Sequence, residues 1–146
     1  MKLTFILFSL LCARINSFFV GVATSSYQIE GQNKGISIWD SFLQNKNLHP
    51  VGNATNHFLL YKDDIKLMND LGIKHYRFSI SWTRIMPFEW NKIDPEGIQF
   101  YHNIIDECLK YNITPYATIY HWDLPNYLDV NMGSWLNEEI IYYSSP

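Results

Sequence analysis

Two cysteines in 146 residues are too few to staple a fold. Cys12 lies in an apolar leader, and Cys108 then has no partner in the remaining chain. A surplus of positive charge is lacking too. Eleven lysines and arginines face 14 aspartates and glutamates, a net charge of −3, whereas a nucleic-acid binder carries a basic patch and a high pI. No apolar run reaches the roughly twenty residues that cross a bilayer, so no membrane span is expected. No G-x-G-x-x-G or G-x-x-x-x-G-K-[ST] loop follows a candidate strand, which removes the phosphate-cradling readings. No G-x-S-x-G elbow and no clustered His/Cys spacing occur, so neither a serine nucleophile, a metal nor another cofactor is expected. Cys108, on an apolar helix face, is a poor nucleophile.

What is present is apolar and aromatic. Hydrophobic residues make up 47% and charged ones 17%, which excludes a disordered chain. Five Trp, ten Tyr and nine Phe supply a core and also flat walls for stacking on ligands. Residues 1–17 read as a secretory signal: Lys2 gives the positive start and residues 3–13 the apolar stretch, with cleavage after Ala13 or Ser17. The expected location is the secretory pathway, extracellular or lumenal. In that setting Asn53-Ala54-Thr55 and Asn112-Ile113-Thr114 are glycosylation sequons, at Asn53 and Asn112.

Residues 71–82 and 111–122 align without a gap, matching Ile73 with Ile113, Tyr76 with Tyr116 and Trp82 with Trp122. Gly72 and Asn112 coincide, and both types suit a left-handed helix end. Before Gly72, Tyr61, Ile65, Met68 and Leu71 mark one helix face; before Asn112, Ile98, Tyr101, Ile105, Cys108 and Leu109 do the same. Asp94 fits an N-cap and Pro95 a first helical turn. An earlier apolar strand is expected over 18–23, and a third helix from Asn137, with Glu138 and Glu139 at its positive end. Alternating strands and helices imply a parallel α/β sheet with helices outside. A unit of about forty residues suits a doubly wound sheet or a (β/α)8 barrel, and a barrel needs about 250 residues. Residues 18–146 therefore read as the front of a larger protein, about three strand–helix units of an incomplete (β/α)8 TIM barrel.

Ligands in such folds meet the C-terminal strand ends. Gln28 and Glu30 fall after the first strand, Ser81 and Trp82 after the second, and His121, Trp122 and Asp123 after the third, with Arg77 deeper in the second. Amide, imidazole, indole and guanidinium groups together suit a sugar: donors and acceptors for hydroxyls, and a flat face for ring C–H surface.

The segment Phe18-Phe19-Val20-Gly21-Val22-Ala23-Thr24-Ser25-Ser26-Tyr27-Gln28-Ile29-Glu30-Gly31 resembles the N-terminal signature of glycoside hydrolase family 1. That family includes the β-glucosidases, the lactase-like proteins and the klothos. The resemblance continues through Ser37-Ile38-Trp39-Asp40, Tyr61-Lys62-Asp63-Asp64, Tyr76-Arg77-Phe78-Ser79-Ile80-Ser81-Trp82 and Tyr120-His121-Trp122-Asp123-Leu124-Pro125 to Trp135-Leu136-Asn137. It implies that Gln28 and His121 bind hydroxyls of a β-glycoside substrate, that Trp122 walls the pocket, and that Arg77 points at the catalytic nucleophile. Glu30, Asp40 and Asp123 read as loop-fixing or capping carboxylates, and Trp39 and Trp82 as packing. The chain departs from the family pattern at Val20, at Asn56-His57-Phe58-Leu59-Leu60 and at Met132-Gly133-Ser134.

Retaining glycosidases use two carboxylates about 5–5.5 Å apart. In the family these glutamates follow the fourth and seventh strands, which lie beyond Pro146. Asn137-Glu138-Glu139 lacks the proline of the family's Asn-Glu-Pro motif. The expectation is a retaining, β-glucosidase-like hydrolase of O-glycosyl bonds at the level of the whole gene product, and a 146-residue chain inactive alone. The rival reading is a klotho-like, non-catalytic carbohydrate-binding or receptor-like module.

Overall fold

A computed structural model describes residues 20–31 and 34–143. The expected leader, and positions 18 and 19 of the expected first strand, lie outside these residues. Strand β1 is Val22–Ala23, shorter than the 18–23 expected. A short helix α1 (Ser26–Ile29) follows, then α2 (Ile38–Asn45) and α3 (His57–Asp70). Strand β2 (His75–Ser79) leads to the single turn α4 (Trp82–Ile85) and to the long α5 (Pro95–Lys110). After β3 (Thr114–Thr118) come α6 (Asn126–Met132), a 3-10 turn (Ser134–Leu136) and α7 (Ile140–Tyr143).

The sheet is parallel with order β1-β2-β3. Tyr76 and Phe78 project from one face of β2 and pack with Ile65 of α3 and Phe100, Tyr101, Ile104 and Cys108 of α5. Arg77, between them, projects from the opposite face by the period-two rule. Among the described residues that second face is open: Ala23 is exposed, and Tyr116 of β3 is 44% accessible. Its equivalent in the repeat, Tyr76, is fully buried. The two tyrosines differ because alignment in a repeat does not fix which face a strand residue takes.

Pairing explains that difference. The repeat aligns Tyr76 with Tyr116, but in the sheet Tyr76 pairs with Pro115 and Arg77 with Tyr116. The register thus lags the repeat by one residue. A (β/α)8 barrel has a shear of about 8 over eight strands, an average of one residue per strand. The β2–β3 stagger matches that average. Along β3, the Thr114 N–H donates to the Lys74 carbonyl (2.8 Å), and the Thr118 carbonyl accepts from the Ile80 N–H (2.9 Å). Thr114, Tyr116 and Thr118 therefore turn their backbone groups toward β2, and Pro115 and Ala117 turn theirs away.

Local signals place the helices. The Asp94 carboxylate accepts from the Glu96 N–H (2.9 Å) with Pro95 in the first turn, as the sequence implied. Gly72 (φ 77°) and Asn112 (φ 53°) close α3 and α5 in the left-handed region. The buried line of α5 runs through Gly97, Phe100, Tyr101, Ile104 and Cys108, leaving Ile98 and Leu109 exposed at its flanks. Burial also pushes the Cys108 thiol up to about 11. The helix expected from Asn137 begins three residues later, at Ile140. Asn137 still serves its start, because its Oδ1 accepts from the Glu139 N–H (2.9 Å).

One buried cluster staples the strand ends. Glu30, just past α1, accepts from Arg84 Nε of α4 (2.9 Å) and from Tyr101 Oη of α5 (2.8 Å). Tyr101 Oη in turn accepts from the Ser81 N–H (2.7 Å). The Arg84 guanidinium lies 4.1 Å from the Phe58 ring centroid, so its flat face is covered as well. Removing one member strands the other charge. Arg84→Met should cost about 3–5 kcal/mol in urea unfolding, and the double variant Arg84→Met/Glu30→Gln should recover most of it. A single variant within 1 kcal/mol of wild type, roughly the worth of an exposed pair, would show that the cluster is not a staple.

Candidate functional site at the C-terminal strand ends

Three segments meet where the strands end. Beyond β1, the chain turns into α1, which carries Gln28 with its side chain exposed. Beyond β2 comes Ser81, whose Oγ lies 2.8 Å from Thr83 Oγ1. Beyond β3 come Tyr120, His121, Trp122 and Asp123.

A chain of hydroxyls ties these segments together. Ser79, the last residue of β2, accepts the Ser26 N–H at its Oγ (2.8 Å) and donates that hydroxyl to Ser26 Oγ (3.0 Å). Ser26 Oγ donates to Asp123 Oδ2 (2.8 Å). Both serines and Asp123 are almost fully buried. Arg77 fixes the layer beneath: its Nε donates to Thr118 Oγ1 (2.7 Å) and its Nη1 to the Thr24 carbonyl (3.3 Å). One side chain thus spans all three strands on the open face, next to a cavity of about 400 Å³ lined by Val22, His75 and Tyr116.

Gln28, His121 and Trp122 thus follow the C-terminal ends of their strands, whereas Arg77 sits in the middle of β2 on the open face, and Trp122 lines a separate groove with Trp39, Phe42 and Asn126. His121 is half-buried, and its Nδ1 is sealed from solvent with no hydrogen-bond partner among the described residues. Trp122 is 67% accessible and has φ 69°, a left-handed conformation that bulky residues seldom adopt. Asp123 Oδ1 is also buried and unpartnered. Burial raises the Asp123 carboxyl above its ordinary 3.8, and the Ser26 and Ser81 hydroxyls offset only part of that. Glu30 is raised by burial as well, with Arg84 and Tyr101 pulling it back.

The other acids hold loops. Asp40 completes a capping box with Ser37, accepting from the Ser37 N–H (2.9 Å), and it also accepts from Tyr27 Oη (2.8 Å). Trp82 is buried and donates its indole N–H to the Ile119 carbonyl (3.1 Å), whereas Trp39, expected as packing, is 39% accessible and meets Phe42 edge-on. The two sequons sit apart. Asn53 is exposed in a turn that touches the segment after α1, where a Cβ on Gly31 would collide with its carbonyl. Asn112 is exposed at the opposite end of the sheet, before β3. Among the described residues no group of His, Cys, Asp and Glu is arranged to hold a metal, and no helix is long and apolar enough to cross a membrane.

Arg84, Ser26 and Ser79 were not singled out by sequence. Arg84 follows a strand as one arginine among many, and the serines carry no spacing signal; only the meeting of strand ends reveals them.

Parallel strands staggered by one residue, helices on one face and polar groups gathered at the C-terminal ends define an incomplete (β/α)8 barrel. Comparison with known proteins names the family. The profile of Glycosyl hydrolase family 1 matches residues 14–145. Beta-glucosidase 4 of Oryza sativa subsp. japonica is 45% identical over 137 residues, covering 88% of this chain and 28% of the rice protein. Beta-glucosidase A of Thermotoga maritima is 46% identical over 136 residues, covering 84% and 29%. The solved family 1 β-glucosidase from Thermotoga maritima superimposes with TM-score 0.79 at 45% identity, over 86% of this chain and 30% of that one. A virulence factor solved with its substrate analog salicin gives 0.80 at 37% identity, over 86% and 29%. The chain belongs to glycosyl hydrolase family 1. It spans less than a third of the length of the relatives it matches.

The raised Asp123 carboxyl has a thermodynamic signature. Folding favours its protonated form, so its contribution is fullest below the ordinary value of 3.8 and is lost as pH rises through the higher folded value. Asp123→Asn removes this loss. The variant should match wild type at acid pH and exceed it in urea stability near neutrality; parallel stability–pH curves for the two would disprove the assignment.

Proposed function

We propose that this chain supplies the sugar-binding side of a retaining β-glucosidase site in a protein of the secretory pathway. Gln28 and His121 hydrogen-bond hydroxyls of the sugar, Trp122 walls the same pocket, and Arg77 faces the nucleophilic carboxylate. A cation so placed keeps that carboxylate ionised. The observation that carries this reading is the family 1 match to β-glucosidases at 45% and 46% identity, supported by Gln28, His121 and Trp122 following the C-terminal strand ends.

The catalytic pair comes from elsewhere. Glycoside hydrolysis with retention needs a nucleophile and an acid/base about 5–5.5 Å apart, with their pKa values driven in opposite directions. The acids near these strand ends are already engaged: Glu30 with Arg84, Asp40 in its capping box, Asp123 with Ser26. Burial raises both Glu30 and Asp123, so it does not split them into acid and base. Polypeptide beyond residue 146 provides the two glutamates, and residues 1–146 alone do not hydrolyse glycosides. Residues 1–17 direct export, and Asn53 and Asn112 receive glycans.

The complete product of the native transcript, assayed on an aryl β-glucoside, should hydrolyse it with retention, and residues 1–146 alone should not. Gln28→Ala and His121→Ala should each lower kcat/KM by about ten- to a hundredfold. Unchanged values in both would overturn the site; sugar binding without hydrolysis would make the protein a klotho-like module. For the glycans, intact mass before and after enzymatic release should fall by two chains. Asn112→Gln should leave KM untouched, since that glycan sits at the far end of the sheet; absence of a mass shift would refute both sites.

A further inference from the structure

The turn after β3 is a costly piece of backbone. Trp122 is held at φ 69°, and the residues on either side each carry a buried polar atom with no partner among the described residues, His121 Nδ1 and Asp123 Oδ1. Such a conformation persists only where its surroundings over-determine it. Downstream, Leu124 is fully buried and its carbonyl accepts from the Ile38 N–H (2.9 Å). Inward, Asp123 Oδ2 accepts from Ser26 Oγ (2.8 Å), with Ser79 Oγ donating to the same serine (3.0 Å), and upstream the Trp82 indole N–H donates to the Ile119 carbonyl (3.1 Å). Ser26 opens α1, two residues before Gln28. Asp123 lies two residues after His121.

We propose that Asp123 is a positioning residue: through Ser26 it locks the turn bearing His121 and Trp122 against the helix bearing Gln28, and so sets the spacing of the two groups that grip the sugar. This rests on the sugar-site reading above. An aspartate suits the task because its short side chain has few rotamers and its oxygen accepts a hydroxyl proton strongly. The charge itself is not required. An asparagine Oδ1 in the same place also accepts from Ser26, so Asp123→Asn keeps the lock and Asp123→Ala removes it.

The test uses the complete product of the native transcript, an aryl β-glucoside and its monodeoxy analogues. Asp123→Ala should lower kcat/KM by about a hundredfold, the scale of a displacement near 1 Å at a reacting centre. Ser26→Ala, which removes one oxygen and guards against a misfolded Asp123→Ala, should lower it by about tenfold. Asp123→Asn should stay within about threefold of wild type. Both lock-breaking variants should also discriminate less against the analogues lacking the hydroxyls that Gln28 and His121 bind, because the two grips no longer fall in register. A merely structural role would reduce the folded fraction and leave this discrimination and KM unchanged, which would overturn the proposal. An Asp123→Asn as impaired as Asp123→Ala would overturn it too, by making the charge essential. If Gln28→Ala and His121→Ala are silent, the sugar site falls and the lock with it; if they are impaired while Asp123→Ala and Ser26→Ala are not, the lock alone falls.

Discussion

Glu30 and Arg84 face each other at 2.9 Å with almost no solvent contact, and the strand ends depend on that pair. The first strand is only two residues long, too short for its ladder to fix where the chain goes next. Glu30 supplies the missing constraint, hooking the segment after α1 to α4 and, through Tyr101, to α5. Taking two charges out of water costs several kcal/mol each, and only good geometry with every lone pair used returns it. Here the carboxylate has a partner on each oxygen, and the arginine face is covered by Phe58 and Phe100. Such a pair adds little net stability over an apolar one. What it adds is position, because one arrangement alone satisfies both charges.

Away from this staple, polar satisfaction is incomplete. Glu30 is fully bonded, whereas Asp123 Oδ1, His121 Nδ1 and, in the core, His57 Nε2 are buried without a hydrogen-bond partner among the described residues. Buried polar groups in native proteins are rarely left so. Arg77 spends Nε and Nη1 on the neighbouring strands while its guanidinium remains on the open face.

Much of the scaffold could be read from residue order. Asp94-Pro95 opened α5, and Gly72 and Asn112 ended their helices, because each of these residues acts through its own backbone. The apolar face of α5 was read in part: Tyr101 and Cys108 are buried and Ile105 packs against the same core, whereas Ile98 and Leu109 are exposed, and Phe100 and Ile104, which complete the buried line, were not picked out. Hydrophobicity marks a stripe and cannot say which edge of it faces inward. Helix α6 escaped notice, and so did α2, although Ser37-Ile38-Trp39-Asp40 has capping-box spacing. At the site, the order of elements placed Gln28, His121 and Trp122 after their strands and Arg77 within the second, and the family motifs supplied their roles. The Ser79–Ser26–Asp123 relay was invisible, since its members lie 53 and 97 positions apart and meet only when three strands align.

Pro115 has a consequence for the chain's behaviour before it meets any partner. It is one of the two β3 residues whose backbone turns away from β2, and proline carries no N–H. The outer rim of β3 therefore offers Ala117 as its one amide donor among the strand residues, where a strand of this length would ordinarily offer two. An exposed rim of evenly spaced donors is a template for any extended peptide nearby. With every second tooth of the comb removed, any strand that settles on this rim finds one donor where it would ordinarily find two.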